Sequence, residues 1–210
     1  MFYRRIVKRL LDLLLSVIVL VITVIPMVII GIIIKLTSKG PALFIQERFG
    51  RNSRPFKLYK FRSMTNNAPQ LANSKFGDIK SYVTSFGMLI RKTSIDELPQ
   101  LWNIIKGDMS FIGPRPLAKT DEKVLSLRKQ NGADQVLPGI SGLAQVNGRN
   151  NLSDEDKAAY DAKYAAHLSF RVDMLLTLET FVSVLKRDGV FKETVIDNEI
   201  DVVRNEKKEG

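Results

Sequence analysis

Two acidic residues stand side by side at Asp96 and Glu97, and they carry the most promising chemistry in the chain. Four cations fall in segments able to reach them. Lys60 and Arg62 lie two apart on an expected strand, where alternate side chains share a face. Arg115 is pinned between Pro114 and Pro116, which lowers the entropy of presenting its guanidinium. Arg149 follows Asn147-Gly148, a turn that exposes backbone N–H groups. Guanidinium groups grip phosphate with two parallel hydrogen bonds. Cations and Mg²⁺ around a carboxylate screen negative charge and let it approach a phosphorus atom, so the set points to phosphoryl transfer. A carboxylate is also a competent covalent nucleophile. Taken singly, each residue has a plainer role: an acid that complements a helix N-terminus, or a cation on a solvated face. The cluster is what argues for a site.

Other chemistries are excluded by composition. The 210 residues contain no cysteine, which removes disulfides, thiolate metal sites and thiol nucleophiles. His167 is the single histidine, so multi-histidine metal sites are excluded as well. The dinucleotide-binding glycine fingerprint, the nucleoside-triphosphate loop and the His-Glu-x-x-His motif are absent. A net charge of +10 favours an anionic partner. Six cations against Asp12 in residues 1–39 supply half of it, and no nucleic-acid motif appears, so nucleic acid is not an expected ligand.

Residues 1–39 read as a membrane segment. Leu13 to Ile34 is a run of 22 residues without a charge, enough to traverse a hydrocarbon layer. It is too long for a signal peptide, and no small-residue cleavage site follows. Basic residues flank both ends, which deprives the positive-inside rule of a direction. Pro26 should bend the helix, with Thr23 covering a freed carbonyl. A strong bend would make a re-entrant hairpin with both ends on one face; a kinked crossing fits the residues equally well. Asp12 needs a partner at the edge of the run, and Lys8 and Arg9 are in reach on the same helix.

The rest, residues 40–195, reads as a catalytic unit, with 196–210 a charged tail. Segments 42–49 and 56–62 alternate as a hairpin about a Gly50–Pro55 turn. Residues 66–82 are polar and loop-like, and 83–92 are helical. Ser94 and Glu97 match a capping box for a helix whose apolar face is Leu98, Leu101, Trp102 and Ile105, ended by Gly107. Residues 119–130 should be helical, Pro138–Gly142 a turn, and Leu143–Asn147 extended. Helices are expected at 154–167, capped by Ser153, and at 170–187, capped by Ser169 and stopped by Gly189. The last carries a stripe of Phe170, Met174, Leu178, Phe181, Val182 and Leu185, suited either to the core or to a bilayer surface.

In order along the chain, Lys60-Phe61-Arg62-Ser63-Met64, Asp96-Glu97-Leu98-Pro99-Gln100-Leu101-Trp102-Asn103, Lys106-Gly107-Asp108-Met109-Ser110-Phe111-Ile112-Gly113-Pro114-Arg115-Pro116, and Pro138-Gly139-Ile140-Ser141-Gly142 through Gln145-Val146-Asn147-Gly148-Arg149 closely resemble the bacterial sugar transferases, the small monotopic phosphoglycosyl transferases. The resemblance runs to about residue 190. It implies an α/β fold, largely helical, with a re-entrant membrane helix and interfacial amphipathic helices. It also implies transfer of a sugar-1-phosphate from a UDP-sugar to undecaprenyl phosphate, with release of UMP, at the start of capsule, exopolysaccharide, O-antigen or glycan assembly. By resemblance Asp96 is nucleophile and Mg²⁺ ligand, Glu97 supports it, and Arg115 binds phosphate, with Lys60, Arg62 and Arg149 as further contacts. The expected place is the bacterial inner membrane, the catalytic part facing the cytoplasm, with a homo-oligomer allowed. The family breaks its re-entrant helix at a Ser-Pro pair; here the pair is Ile25-Pro26. The alternative is a non-catalytic, membrane-tethered basic domain that binds anionic lipid or nucleic acid.

Overall fold

The computed structural model describes residues 2–65, 67–68, 82–148 and 151–186. The uncharged run forms the body of one long helix, α1 (Lys8–Thr37), entered through a wider π turn at Tyr3–Val7. Helix α1 runs through Pro26 as one continuous element. Proline has no N–H to offer the carbonyl one turn back. The Thr23 hydroxyl does not cover that carbonyl; it donates to the Val19 carbonyl at 2.7 Å.

The middle of α1 is bare, with Val21, Ile22 and Ile25 each about 70% exposed, whereas both of its ends are packed. At the first end Arg9 donates to the carbonyls of Ile104 and Ile105, and Lys8 pairs with Asp173 at 2.7 Å. Asp12 takes a hydrogen bond from the Phe111 N–H at 3.3 Å. The local pairing expected of Asp12 with Lys8 and Arg9 is therefore replaced by contacts to distant parts of the chain. At the other end Ile34 is buried with Phe61 and Ile90, and Met27 and Ile30 join the same cluster.

Strands β1 (Leu43–Phe49) and β2 (Pro55–Phe61) form the expected antiparallel hairpin. Asn52 and Ser53 both take left-handed backbone conformations at its tip, which matches the twist of a tight hairpin. Phe44 lies opposite Lys60, Gln46 opposite Leu58, and Arg48 opposite Phe56, so these six side chains share one face of the ribbon. Leu58 on that face is buried with Ile104 and Met109.

Helix α2 (Ser85–Lys92) is capped by Thr84, whose hydroxyl accepts from the Gly87 N–H. The expected capping box at Ser94 does not form. Ser94 adopts a left-handed conformation, Ile95–Glu97 make a 3₁₀ turn, and helix α3 (Gln100–Lys106) begins after Pro99. Proline lacks the N–H that would bond back to Ile95, which disfavours an α-helix running through from residue 95, although proline suits a helix start. The buried side of α3 is Gln100, Leu101, Asn103 and Ile104, and Trp102 is left exposed. Asn103 explains the rotation: its side chain joins the Tyr59 N–H and the Lys57 carbonyl, which fastens α3 to β2.

A second, two-stranded parallel sheet joins β3 (Ser110–Ile112) to β4 (Gly139–Ser141). Helix α4 (Glu122–Asn131) lies between them in sequence. The stretch expected to be extended after Gly142 is instead a short helix, α5 (Leu143–Val146), all four residues of which are buried. Helices α6 (Asp154–His167) and α7 (Phe170–Lys186) close the fold, and the Ser153 hydroxyl caps α6 through the Asp156 N–H. Ile112, Leu143, Val146, Tyr164, Val172 and Leu176 form the main core between them. The α7 stripe turns away from this core: Phe170, Met174, Leu178, Phe181 and Val182 are all exposed. Gly189, Arg149, the tail and most of the expected 66–82 loop lie outside the described residues. The fold is thus mixed α/β and mostly helical, with two pairs of strands among the described residues.

Candidate active site

The acid pair sits on the 3₁₀ turn between α2 and α3. Its neighbours on either side, Ile95 and Leu98, pack on the cluster of Ile34, Phe61 and Ile90. Apolar burial therefore fixes the turn from below, and the same cluster contains the end of α1. Asp96 and Glu97 are left half-buried at the rim.

Lys60, on β2, reaches Glu97 across 37 residues of sequence, with Nζ 2.5 Å from Oε1. The two side chains are 19% and 18% exposed, so the pair is shielded well beyond a surface ion pair. The Arg115 guanidinium approaches the same oxygen at 3.7 Å and is half exposed, which leaves it capacity for a ligand.

Arg115 is held out by backbone. The Gly113 N–H donates to the Ser141 carbonyl at 2.8 Å, and the Gly139 N–H donates to the Pro114 carbonyl at 2.9 Å. The chains are so close that a Cβ at Gly113 would sit 2.3 Å from the Leu137 carbonyl oxygen, and one at Gly139 would sit 2.1 Å from the Gly113 nitrogen. Only glycine fits at either position. Arg128 adds a bond from its guanidinium to the Arg115 carbonyl while paired with buried Asp161.

Glu97 is thus occupied by cations, while Asp96 has no hydrogen bond or ion pair among the described residues. Burial raises the Asp96 pKa above the ordinary aspartate range. The Glu97 charge pushes the same way, and Lys60, Arg91 and Arg115 oppose it. Asp96 is therefore a partly desolvated carboxylate inside a frame of positive charge. Burial also lowers the Lys60 pKa, with Arg115 adding to the effect and Glu97 resisting it.

The structure brings together Asp96, Glu97, Lys60 and Arg115. Arg62 makes a contact at the end of α1. It lies one residue beyond β2, is buried, and donates to the Ser38 carbonyl at 2.7 Å, clamping the exit of α1. Arg149 lies outside the described residues. Arg91, in the last turn of α2, belongs to the charge frame of Asp96 and was not singled out from sequence. Its one sequence signal is its position five residues before Asp96, which no regular helix would have made adjacent.

Among the described residues no three carboxylates or histidines form a metal cluster. The donor set still suits Mg²⁺, which commonly binds one or two carboxylates together with substrate phosphates and water. Asp96 would be the carboxylate to hold it.

The model of the family described as bacterial sugar transferase matches residues 3–187. The chain is 40% identical over 185 residues to the sugar transferase EpsL of Bacillus subtilis (strain 168), covering 88% of this chain and 90% of that protein. It is 36% identical over 193 residues to the UDP-glucose:undecaprenyl-phosphate glucose-1-phosphate transferase of Caulobacter vibrioides, covering 88% and 72%. It is 39% identical over 188 residues to the UDP-N-acetylgalactosamine-undecaprenyl-phosphate N-acetylgalactosaminephosphotransferase of Aeromonas hydrophila, covering 87% of this chain but 44% of that one. With the acid pair, its cation frame and this match along nearly the full length, the chain belongs to the bacterial sugar transferase family.

Proposed function

We propose that this protein is a membrane-bound phosphoglycosyl transferase that moves a sugar-1-phosphate from a UDP-sugar to undecaprenyl phosphate. The observation that carries this reading is the asymmetry of the acid pair: Glu97 is neutralised by Lys60 and Arg115, whereas the Asp96 carboxylate is open within the same positive field. The names of the relatives support the substrate class, since they include glucose, galactose and N-acetylgalactosamine phosphotransferases acting on undecaprenyl phosphate.

In the reaction so read, an Asp96 carboxylate oxygen attacks the β-phosphorus of the UDP-sugar. The bond from that phosphorus to the bridging oxygen breaks, and UMP leaves with the electron pair. The product is an acyl phosphate joining Asp96 to the sugar. An oxygen of the polyprenyl phosphate then attacks the same phosphorus, and the Asp96 carboxylate departs unchanged. Arg115 and Lys60 lower the repulsion between the carboxylate and the phosphate by supplying positive charge before either step. Glu97 keeps those two cations in place and keeps Lys60 charged. Asp96 would hold Mg²⁺ jointly with substrate phosphate, and the ion would supply further neutralisation of the transferred group.

The anchoring of α1 supports a helix whose two ends lie on the same side of the bilayer. Thirty residues of α-helix span about 45 Å, more than a hydrocarbon layer. A crossing would put the two ends on opposite sides, and a single water-facing body could not then touch both. Here Arg9 grips α3 and Ile34 packs on Phe61, while the apolar middle is uncovered. The exposed α7 stripe supports contact with the same bilayer surface. For a UDP-sugar donor this face is the cytoplasmic one. The test is UMP release from a panel of UDP-sugars by the membrane-embedded protein supplied with polyprenyl phosphate. Release with at least one sugar, dependent on the lipid for continued turnover, is expected; no release with any sugar would defeat the reading.

A further inference from the structure

The hairpin carries a cation that the site description does not use. Arg48 lies near the end of β1, on the ribbon face shared with Lys60 and Leu58. The Phe49 N–H donates to the Leu117 carbonyl at 2.8 Å, and this bridge draws the end of β1 against the Arg115 loop. One terminal nitrogen of Arg48 donates to the Gln46 side chain at 2.6 Å. Its Nε is buried and has no hydrogen-bond partner. Among the described residues no carboxylate lies within ion-pair distance of it. The Asp121 charge favours the charged form of Arg48, but that carboxylate is engaged with the Ala118 N–H.

This is an expensive arrangement to leave as it stands. Burial, and then the charge of Arg115, both disfavour the charged Arg48. A buried guanidinium ordinarily has a carboxylate against it, and its planar donor fork matches the oxygens of a phosphate. Arg48 and Arg115 repel each other through their charges, and an anion held by both would remove that repulsion.

We propose that Arg48 and Arg115 form a two-guanidinium clamp for a phosphate ester of the substrates, with Gln46 aiming Arg48. The inference rests on the transferase reading and adds a binding residue to it. The anion is a phosphate group, supplied either by the nucleotide diphosphate or by the polyprenyl phosphate. Both bring an unprotected phosphate to the same reaction. Filling the clamp would give the Arg48 Nε its missing acceptor and relieve the repulsion with Arg115.

The experiment measures binding of UDP, and separately of a short-chain polyprenyl phosphate, to the full-length protein in nanodiscs by calorimetry. Arg48→Ala and Arg48→Lys are compared with the parent, with thermal unfolding recorded for each. Arg51→Ala at the exposed hairpin tip is the control. Loss of one side of a buried, charge-assisted contact should weaken one of the two ligands by about 30-fold or more in Arg48→Ala. Arg48→Lys, which keeps the charge and loses the fork, should recover part of that affinity and keep the parent's melting temperature. Arg51→Ala should match the parent. The ligand that loses affinity identifies which phosphate the clamp holds. If Arg48→Lys and Arg48→Ala bind both ligands within about twofold of the parent while the parent turns over, the clamp is wrong and the transferase reading stands. If the parent binds neither ligand and releases no UMP, both fall together.

Discussion

The Lys60 ammonium lies 2.5 Å from Oε1 of Glu97, and among the described residues Asp96 has no such partner. In the proposed reaction the two adjacent carboxylates divide labour: Glu97 holds cations and Asp96 reacts.

Asp96→Asn should abolish turnover, by about 10³-fold or more, because the amide is not a nucleophile and the neighbouring Glu97 carboxylate is engaged by Lys60 and Arg115. Glu97→Gln should retain the nucleophile but loosen Lys60 and Arg115, with a loss of about 10–100-fold. With labelled donor and no acceptor lipid, the parent should carry the label on the polypeptide and Asp96→Asn should not. Equal labelling of the two proteins would remove Asp96 from the mechanism.

Lys60 should set an alkaline limit on activity. Burial lowers its pKa, so it loses its proton at a lower pH than a surface lysine, for which the value is about 10.4. As pH rises through that point, Glu97 loses its cation and the positive field at Asp96 weakens, so the rate should fall. Lys60→Arg keeps the charge at any accessible pH and should lose this limb, whatever its absolute rate. A pH–rate profile with the same alkaline limb in both proteins would exclude Lys60 as its origin.

Removal of divalent metal by a chelator should stop UMP release, and added Mg²⁺ should restore it. The donor set predicts this, since one open carboxylate and the substrate phosphates suit a hard cation that keeps much of its water. Undiminished turnover after exhaustive chelation would mean that the protein cations alone neutralise the phosphates.

Asp173→Asn should destabilise the fold by about 3 kcal/mol or more. Asp173 takes hydrogen bonds from Lys8, Tyr3 and Tyr164, and the Lys8–Asp173 pair is buried. Breaking a buried pair from one side leaves an uncompensated charge, at a cost of about 3–5 kcal/mol. The change should appear as a lower unfolding temperature and as freer protease access to the start of α1. A melting temperature unchanged from the parent would show that this network does not hold the membrane helix to the domain.

Local chemistry made much of the protein legible in its sequence. The uncharged run could be nothing but an apolar helix, the alternating segments about Gly50–Pro55 could pair, and Ser153 could cap the helix after it; all three follow from interactions a few residues apart. The acid pair and the doubly proline-flanked Arg115 were also visible, because their chemistry is written in residue type. Where one local signal competed with another, the sequence misled: Ser94 and Glu97 spelled a cap that Pro99 prevented, and the face of α3 was rotated by the buried contacts of Asn103. Only the tertiary structure decided which carboxylate is occupied, since Lys60 and Glu97 are 37 residues apart. It alone sent Arg62 to Ser38, enrolled Arg91 and Arg48, and brought both ends of α1 onto one body. Such contacts depend on how burial packs distant segments together, and spacing along a chain records nothing of that.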